Sequence, residues 1–131
     1  MNKQETTDAV RLALQQVYAV PNIYRTNALL ATALQVGNDA ITVVGWTFEN
    51  QTAGVNYIKF YDAATVPTVG TAPVLFTVEI PANGTVFVPA QAVGQFHTTT
   101  KMWMAATTES ADSGTTAPGT AVIAQVMYRG W

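Results

Sequence analysis

Between Val74 and Val88 large and small side chains alternate with a period of two, and Pro and Asn-Gly punctuate the run. Val74, Phe76, Val78 and Ile80 face one way and Leu75, Thr77 and Glu79 the other, a period that a pleated strand provides and a helix does not. Pro81-Ala82-Asn83-Gly84 turns the chain, with Asn-Gly suited to the positive φ of a hairpin turn. Thr85-Val86-Phe87-Val88 is a further strand, ended by Pro89. Upstream, Tyr57 to Asp62 alternates residues that favour a pleated surface. The connection Ala63 to Pro73 holds two prolines and a glycine and is too broken for a helix.

The run from Tyr57 to Gly84 resembles a segment of small virion proteins of tailed bacteriophages. The matching residues are Tyr57, Phe60, Tyr61 and Asp62 at a strand end, then Pro67, Val69, Gly70, Thr71 and Pro73 in the loop, and Ile80-Pro81 closing the next strand. The resemblance covers about a quarter of the chain. It implies a phage-type β-sandwich, an architecture shared by decoration, neck, tail and fibre proteins.

Charge is scarce: six Lys/Arg and eight Asp/Glu make up 11% of the 131 residues, where about 25% is usual. Thr and Ala together supply 40 residues, so much of the surface must be small and uncharged. Such a surface either belongs to a Thr-rich β protein with a neutral exterior or is covered by other protein. Lys3, Arg11, Arg25, Lys59, Lys101 and Arg129 are scattered, which leaves no electrostatic footprint for nucleic acid. No apolar run approaches the roughly 20 residues of a membrane span. Met1 to Asp8 is polar, without the apolar stretch of a secretory signal. With no cysteine there is no disulfide framework or thiolate site. A chain of this length buries roughly two-thirds of its unfolded surface and needs no metal to fold.

Val10, Ala13, Leu14, Val17 and Tyr18 form one apolar helical face, capped by Thr7 or Asp8 and stopped by Pro21. A helix of roughly 12 residues is marginal alone. It is expected to dock, on its own sandwich or as an arm on a neighbouring subunit. Residues 22–36 suit a strand pair closed by Gly37-Asn38-Asp39, and Ala40 to Glu49 is a strand in which Gly45 marks a bulge or a close backbone approach. Ala90 to Thr99 is a loop with a short apolar piece. Lys101 to Thr107 is a strand with Trp103 opposite Met102 and Met104. Thr108 to Gly119 has nothing to bury and is expected to be an exposed, mobile loop or hairpin tip. Thr120 to Tyr128 is apolar on both faces, hence central or at a subunit contact, and Trp131 is expected to be packed.

Catalytic signals are weak. His97 is the single histidine and lacks an evident nucleophile or orienting partner. No Gly-x-Ser-x-Gly elbow or EF-hand loop is present. Two of Asp39, Glu49, Asp62, Glu79, Glu109 and Asp112 would have to share a cleft for glycoside hydrolysis. Asp62, at a strand exit, is suited to accept amides of the Ala63-Ala64-Thr65 turn. Asn50-Gln51-Thr52 and Asn83-Gly84-Thr85 fit the glycan acceptor pattern but read better as turns. Trp46, Trp103 and Trp131 suit core or interface anchors more than a sugar platform.

The expected architecture is therefore all-β: an antiparallel β-sandwich of jelly-roll type over residues 22–131, preceded by a helical arm at 1–21. The expected role is non-catalytic, with no metal, no cofactor, no nucleic acid and no membrane. Together with the resemblance, this implies a virion protein assembled in the host cytoplasm that decorates the capsid as a homotrimer, bridging subunits of the major capsid protein. Val10, Leu14, Val17, Tyr18, Tyr128, Arg129 and Trp131 are the expected contact residues. A neck, tail or baseplate component, or a carbohydrate- or receptor-binding module using the Thr108–Gly119 loop, are the alternatives.

Overall fold

A computed structural model describes residues 21–91 and 93–130. The expected N-terminal helix, with Val10, Leu14, Val17 and Tyr18, lies outside the described residues, as does Trp131. The described chain is an antiparallel β-sandwich. One sheet runs β1 (Asn22–Leu29), β9 (Val122–Gly130), β3 (Ile41–Glu49) and β6 (Thr85–Val88), with the two-residue β7 (Phe96–His97) also on β3. The other runs β2 (Leu34–Gly37), β8 (Lys101–Thr107), β4 (Asn56–Ala63) and β5 (Phe76–Ile80).

This order is that of a jelly roll. Apart from β4–β5 and β6–β7, consecutive strands fall in different sheets. The strand pair expected over 22–36 is thus β1 and β2 split between the two sheets. The last strand is central, flanked by β1 and β3.

The Asn-Gly turn departs from expectation. It does not close a hairpin, because β5 pairs with β4 and β6 with β3, so the chain changes sheet there. Asn83 alone takes the left-handed conformation in this turn, at φ 50°, and the Gly84 amide donates to the Pro81 carbonyl at 3.0 Å. A single left-handed residue gives a corner; a two-residue hairpin of the expected kind needs two.

Gly45 fulfils both readings of its place in β3. The β3–β9 register shifts between Val43 and Gly45, and a Cβ at Gly45 would lie 2.5 Å from the Val88 carbonyl oxygen. The bulge bends the strand while the bare glycine lets the Val88–Ala90 backbone cross over it.

The core lies between the sheets and is aromatic on the side of β5, β6 and β7. Trp46 sits 5.9 to 6.3 Å, ring to ring, from Phe76, Phe96, Phe48 and Phe60. Leu29, Ile58, Ile80, Met102, Met104, Val122 and Val126 fill the remainder, all fully buried.

Candidate functional site

On the outer face of the β2-β8-β4-β5 sheet, two side chains that alternation directs away from the core are nevertheless enclosed. Ile58 and Phe60 point into the sandwich, so Lys59 and Tyr61 point out, yet both are 0% exposed. The β8–β9 loop covers them. The Lys59 ammonium donates to the carbonyl oxygens of Ala111 and of Gly114, the latter at 3.3 Å. The loop is also braced internally. Thr108 N–H donates to the Thr116 carbonyl at 2.9 Å, Gly114 N–H to that of Ala111 at 2.9 Å, and Thr116 N–H to Glu109 Oε1 at 2.8 Å.

Thr108 to Gly119 therefore does not stand off as an open tip. Its own side chains are mostly exposed, as composition implies, but its backbone carbonyls satisfy a cation and its Gly114 and Pro118 are buried. The β4–β5 loop joins it, since Gly70, at φ 97°, has no room for a Cβ against Thr115 and the Ser113 carbonyl.

Burial pulls the Lys59 ammonium below its ordinary pKa of 10.5, and the Asp112 and Glu109 carboxylates offset part of that pull. Burial likewise pushes the Tyr61 phenol up, with the Asp112 charge adding to it. Tyr61 Oη is buried without a hydrogen-bond partner among the described residues. Because the folded state holds the Lys59 proton less tightly than the unfolded chain, stability contributed by this site rises with pH from the lowered value up to about 10.5.

Replacing Lys59 with methionine removes the cost of a buried charge and also the partner of two carbonyls. These effects oppose, so global stability should change by only about 1 kcal/mol. The loop, however, loses its pin. The expected outcome for Lys59→Met is faster limited proteolysis between Glu109 and Thr116, with a nearly unchanged melting temperature; equal cleavage of both proteins would refute the pin.

A second polar cluster holds one end of the sandwich. Asp62 does accept backbone amides, but from Thr99 and Thr100 (both 2.9 Å) rather than from the turn that follows it. Both threonine hydroxyls add hydrogen bonds to the same carboxylate. The partner differs because Asp62 lies opposite Met102 in the β4–β8 ladder, which brings the 98–100 loop beside it. Burial pushes the Asp62 carboxyl up, but the hydrogen bonds from Thr100 and Thr99 outweigh this and hold it below the ordinary carboxylate range.

The linked stability is present above the ordinary carboxyl pKa of 3.8 and is lost as pH falls through the lower folded value. Asp62→Asn should cost roughly 1–2 kcal/mol at neutral pH and flatten the acid limb of a melting-temperature profile between about pH 5 and 2. An unchanged acid limb would show that Asp62 is not linked to folding. Beside this cluster lies a hollow of about 570 Å³ lined by residues including Asn38, Asp39, Thr99, Thr100 and Lys101.

The other sequence candidates are dispersed. His97 lies on β7 opposite Thr42 and is exposed. Asp39 sits in the β2–β3 turn, Glu49 at the end of β3 and Glu79 on β5, so no two of these three share a loop. Among the described residues no three His, Cys, Asp or Glu side chains gather to hold a metal. Tyr128 packs against the core from β9, and Arg129 is half-buried beside it in register with Thr42. Trp46 is a core anchor; Trp103 is half-buried, its Nε1 donating to the Ala63 carbonyl at 2.9 Å.

The outer face of the β1-β9-β3-β6 sheet has a different character. One row across it reads Arg25, Gln125, Thr47, Phe87, and the next Ile123, Glu49, Thr85. Phe87 is 63% exposed, Ile23 47% and Ile123 37%. The apolar second face of Thr120 to Tyr128 is the sequence signal for this surface, since Ile123 stands on it; Ile23 and Phe87 carry no such signal, because they also suit a core. Comparison with protein-family models, curated proteins and solved structures gives no match.

Proposed function

We propose that this protein is a non-catalytic structural component of a virion, a decoration protein that binds the capsid exterior and bridges subunits of the major capsid protein. The observation that carries the reading is the outer face of the β1-β9-β3-β6 sheet, where Ile23, Ile123 and Phe87 stand exposed among Thr47 and Gln125, with Arg25 and Glu49 the charges in the central rows. Such a face gains by being covered, at roughly 25 cal/mol per Å² of apolar surface. Jelly-roll order adds support by analogy of architecture, since viral shell proteins use it, as do lectins. The resemblance around Tyr57 to Gly84 points the same way.

In this reading several copies engage neighbouring capsid subunits at once, and linkage raises the effective affinity of individually weak contacts. Binding the assembled shell in preference to free subunits stabilises it by mass action. A homotrimer is the proposed unit. The test is co-sedimentation of the purified protein with capsids stripped of accessory proteins, alongside native mass spectrometry. Saturable binding that raises the temperature of capsid disruption is the expected result, and a monomer that stays in the supernatant would sink the reading.

The pinned β8–β9 loop favours a second reading, a receptor- or glycan-binding module. A loop held by Lys59 presents Asp112, Ser113 and Thr115 on a fixed frame, which lowers the ordering cost of recognition. Binding to a glycan array that is lost on deleting residues 110–116 would select it.

A further inference from the structure

Besides the two-residue β7, the two described sheets end in four edge strands, and they are not alike. β1 carries Arg25 and a register shift between Thr26 and Leu29. β2 shifts register between Gln35 and Gly37. β5 is regular but carries the exposed Glu79. Charges and bulges of this kind blunt an edge against pairing with another chain. β6, Thr85-Val86-Phe87-Val88, has neither: it pairs with β3 in unbroken register and bears no charge. Among the described strands nothing pairs with its other edge. Phe87, the most exposed aromatic side chain among the described residues, stands on it.

We propose that two copies of this chain join edge to edge through β6, antiparallel about a two-fold axis, so that the β1-β9-β3-β6 sheet continues into the partner copy. The charge pattern selects a second copy as occupant. Self-pairing about a two-fold sets a strand against itself and brings a charge near the strand's middle close to its own copy. Glu79 thus counts against β5 and Arg25 against β1, whereas β6 meets itself with Thr, Val and Phe alone. The free backbone groups of both copies are satisfied in the joint sheet, and the two Phe87 rings leave water together. A two-fold contact closes on itself, so in a trimeric assembly it joins each copy to one copy of another trimer. The inference rests on the protein acting as a homo-oligomer.

Sedimentation equilibrium of the full chain, with and without Phe87→Lys, tests the contact. Wild type should form a concentration-dependent dimer or even-numbered assembly, and Phe87→Lys should weaken that association by about tenfold or more. Phe87 is exposed, so the variant's melting temperature should hold. The absence of native cysteine allows a second readout that does not depend on that variant. Under mild oxidation Phe87→Cys, next to the middle of β6 and so close to its own copy across the two-fold, should crosslink two copies, because a disulfide needs Cα atoms within about 7 Å, whereas Ile23→Cys on the opposite edge of the sheet should not. Association unchanged in Phe87→Lys, or equal crosslinking at Ile23→Cys, overturns the β6 contact while leaving capsid binding untouched. Failure of wild type to bind capsids would instead remove the proposed function.

Discussion

Asn50→Ala is expected to destabilise the protein by about 3–4 kcal/mol and to lower its melting temperature by roughly 10 °C. Asn50 is 1% exposed and joins two chain reversals at once. Its Nδ2 donates to the carbonyls of Gly54 (2.8 Å), Pro81 (3.1 Å) and Ile80 (3.3 Å). Its Oδ1 accepts from Thr52 N–H (2.9 Å), Thr52 Oγ1 (2.7 Å) and Asn56 Nδ2 (2.8 Å). Backbone bonds from Asn50 N–H to Gly84 and from Asn83 N–H to Thr52, both 2.8 Å, complete the joint.

Alanine would leave the buried Asn56 Nδ2 with only its 3.3 Å hydrogen bond to Thr52 Oγ1, beside an Oδ1 that already lacks a partner among the described residues, and would remove a donor from the Ile80 carbonyl. The unmet desolvation of such groups outweighs the small gain in side-chain entropy. Asn50→Asp separates the two halves of the network. It retains the acceptor but sets a charge against three carbonyls, so it should be less stable at neutral pH and recover part of the loss in acid. Urea denaturation at two pH values checks both variants. Equal stability of wild type and Asn50→Ala would show that the turns hold without the joint. The same geometry answers the acceptor pattern at Asn50-Gln51-Thr52: the amide nitrogen is committed to three carbonyls and enclosed, so in the folded chain it is not available to a glycan.

Trp46→Ala is the other large expected effect, a loss of about 4 kcal/mol, with Trp46→Phe losing much less. Among the described residues the indole is the one ring in contact range of Phe48, Phe60, Phe76 and Phe96. Two of these, Phe60 and Phe76, come from the facing sheet, so removing it opens a void across the sandwich that neither sheet can close alone. Phe76 is partly exposed and stacks on Phe96 at 5.0 Å, so the void also opens toward solvent at the β5 edge. Thermal unfolding with a near-ultraviolet signal from the remaining tryptophans would measure it. A loss under 1 kcal/mol would mean that the cluster repacks.

Strand positions were readable along the chain because a half-buried strand needs alternation, and β3, β4, β8 and β9 carry it in residues that suit little else. The interior direction of Met102 and Met104 against Trp103 follows from the same period. Gly45 could be read as a bulge or close approach since a bare glycine inside a β-branched strand has few other uses. Asn83-Gly84 misled for a physical reason: local turn chemistry is the same whether the chain returns to its neighbour or crosses to the other sheet. What decides is whether β6 finds β3 or β5, and that depends on contacts far along the chain.

Alternation and punctuation in these residues thus settle an antiparallel β-sandwich, since period and turn propensity are local properties of the backbone. The burial of Lys59 beneath the β8–β9 loop, the grip of Thr99 and Thr100 on Asp62, and the unblunted edge of β6 are decided only in three dimensions. Each depends on a partner 37 or more residues away or on which strand ends a sheet, and side-chain periodicity carries no record of either.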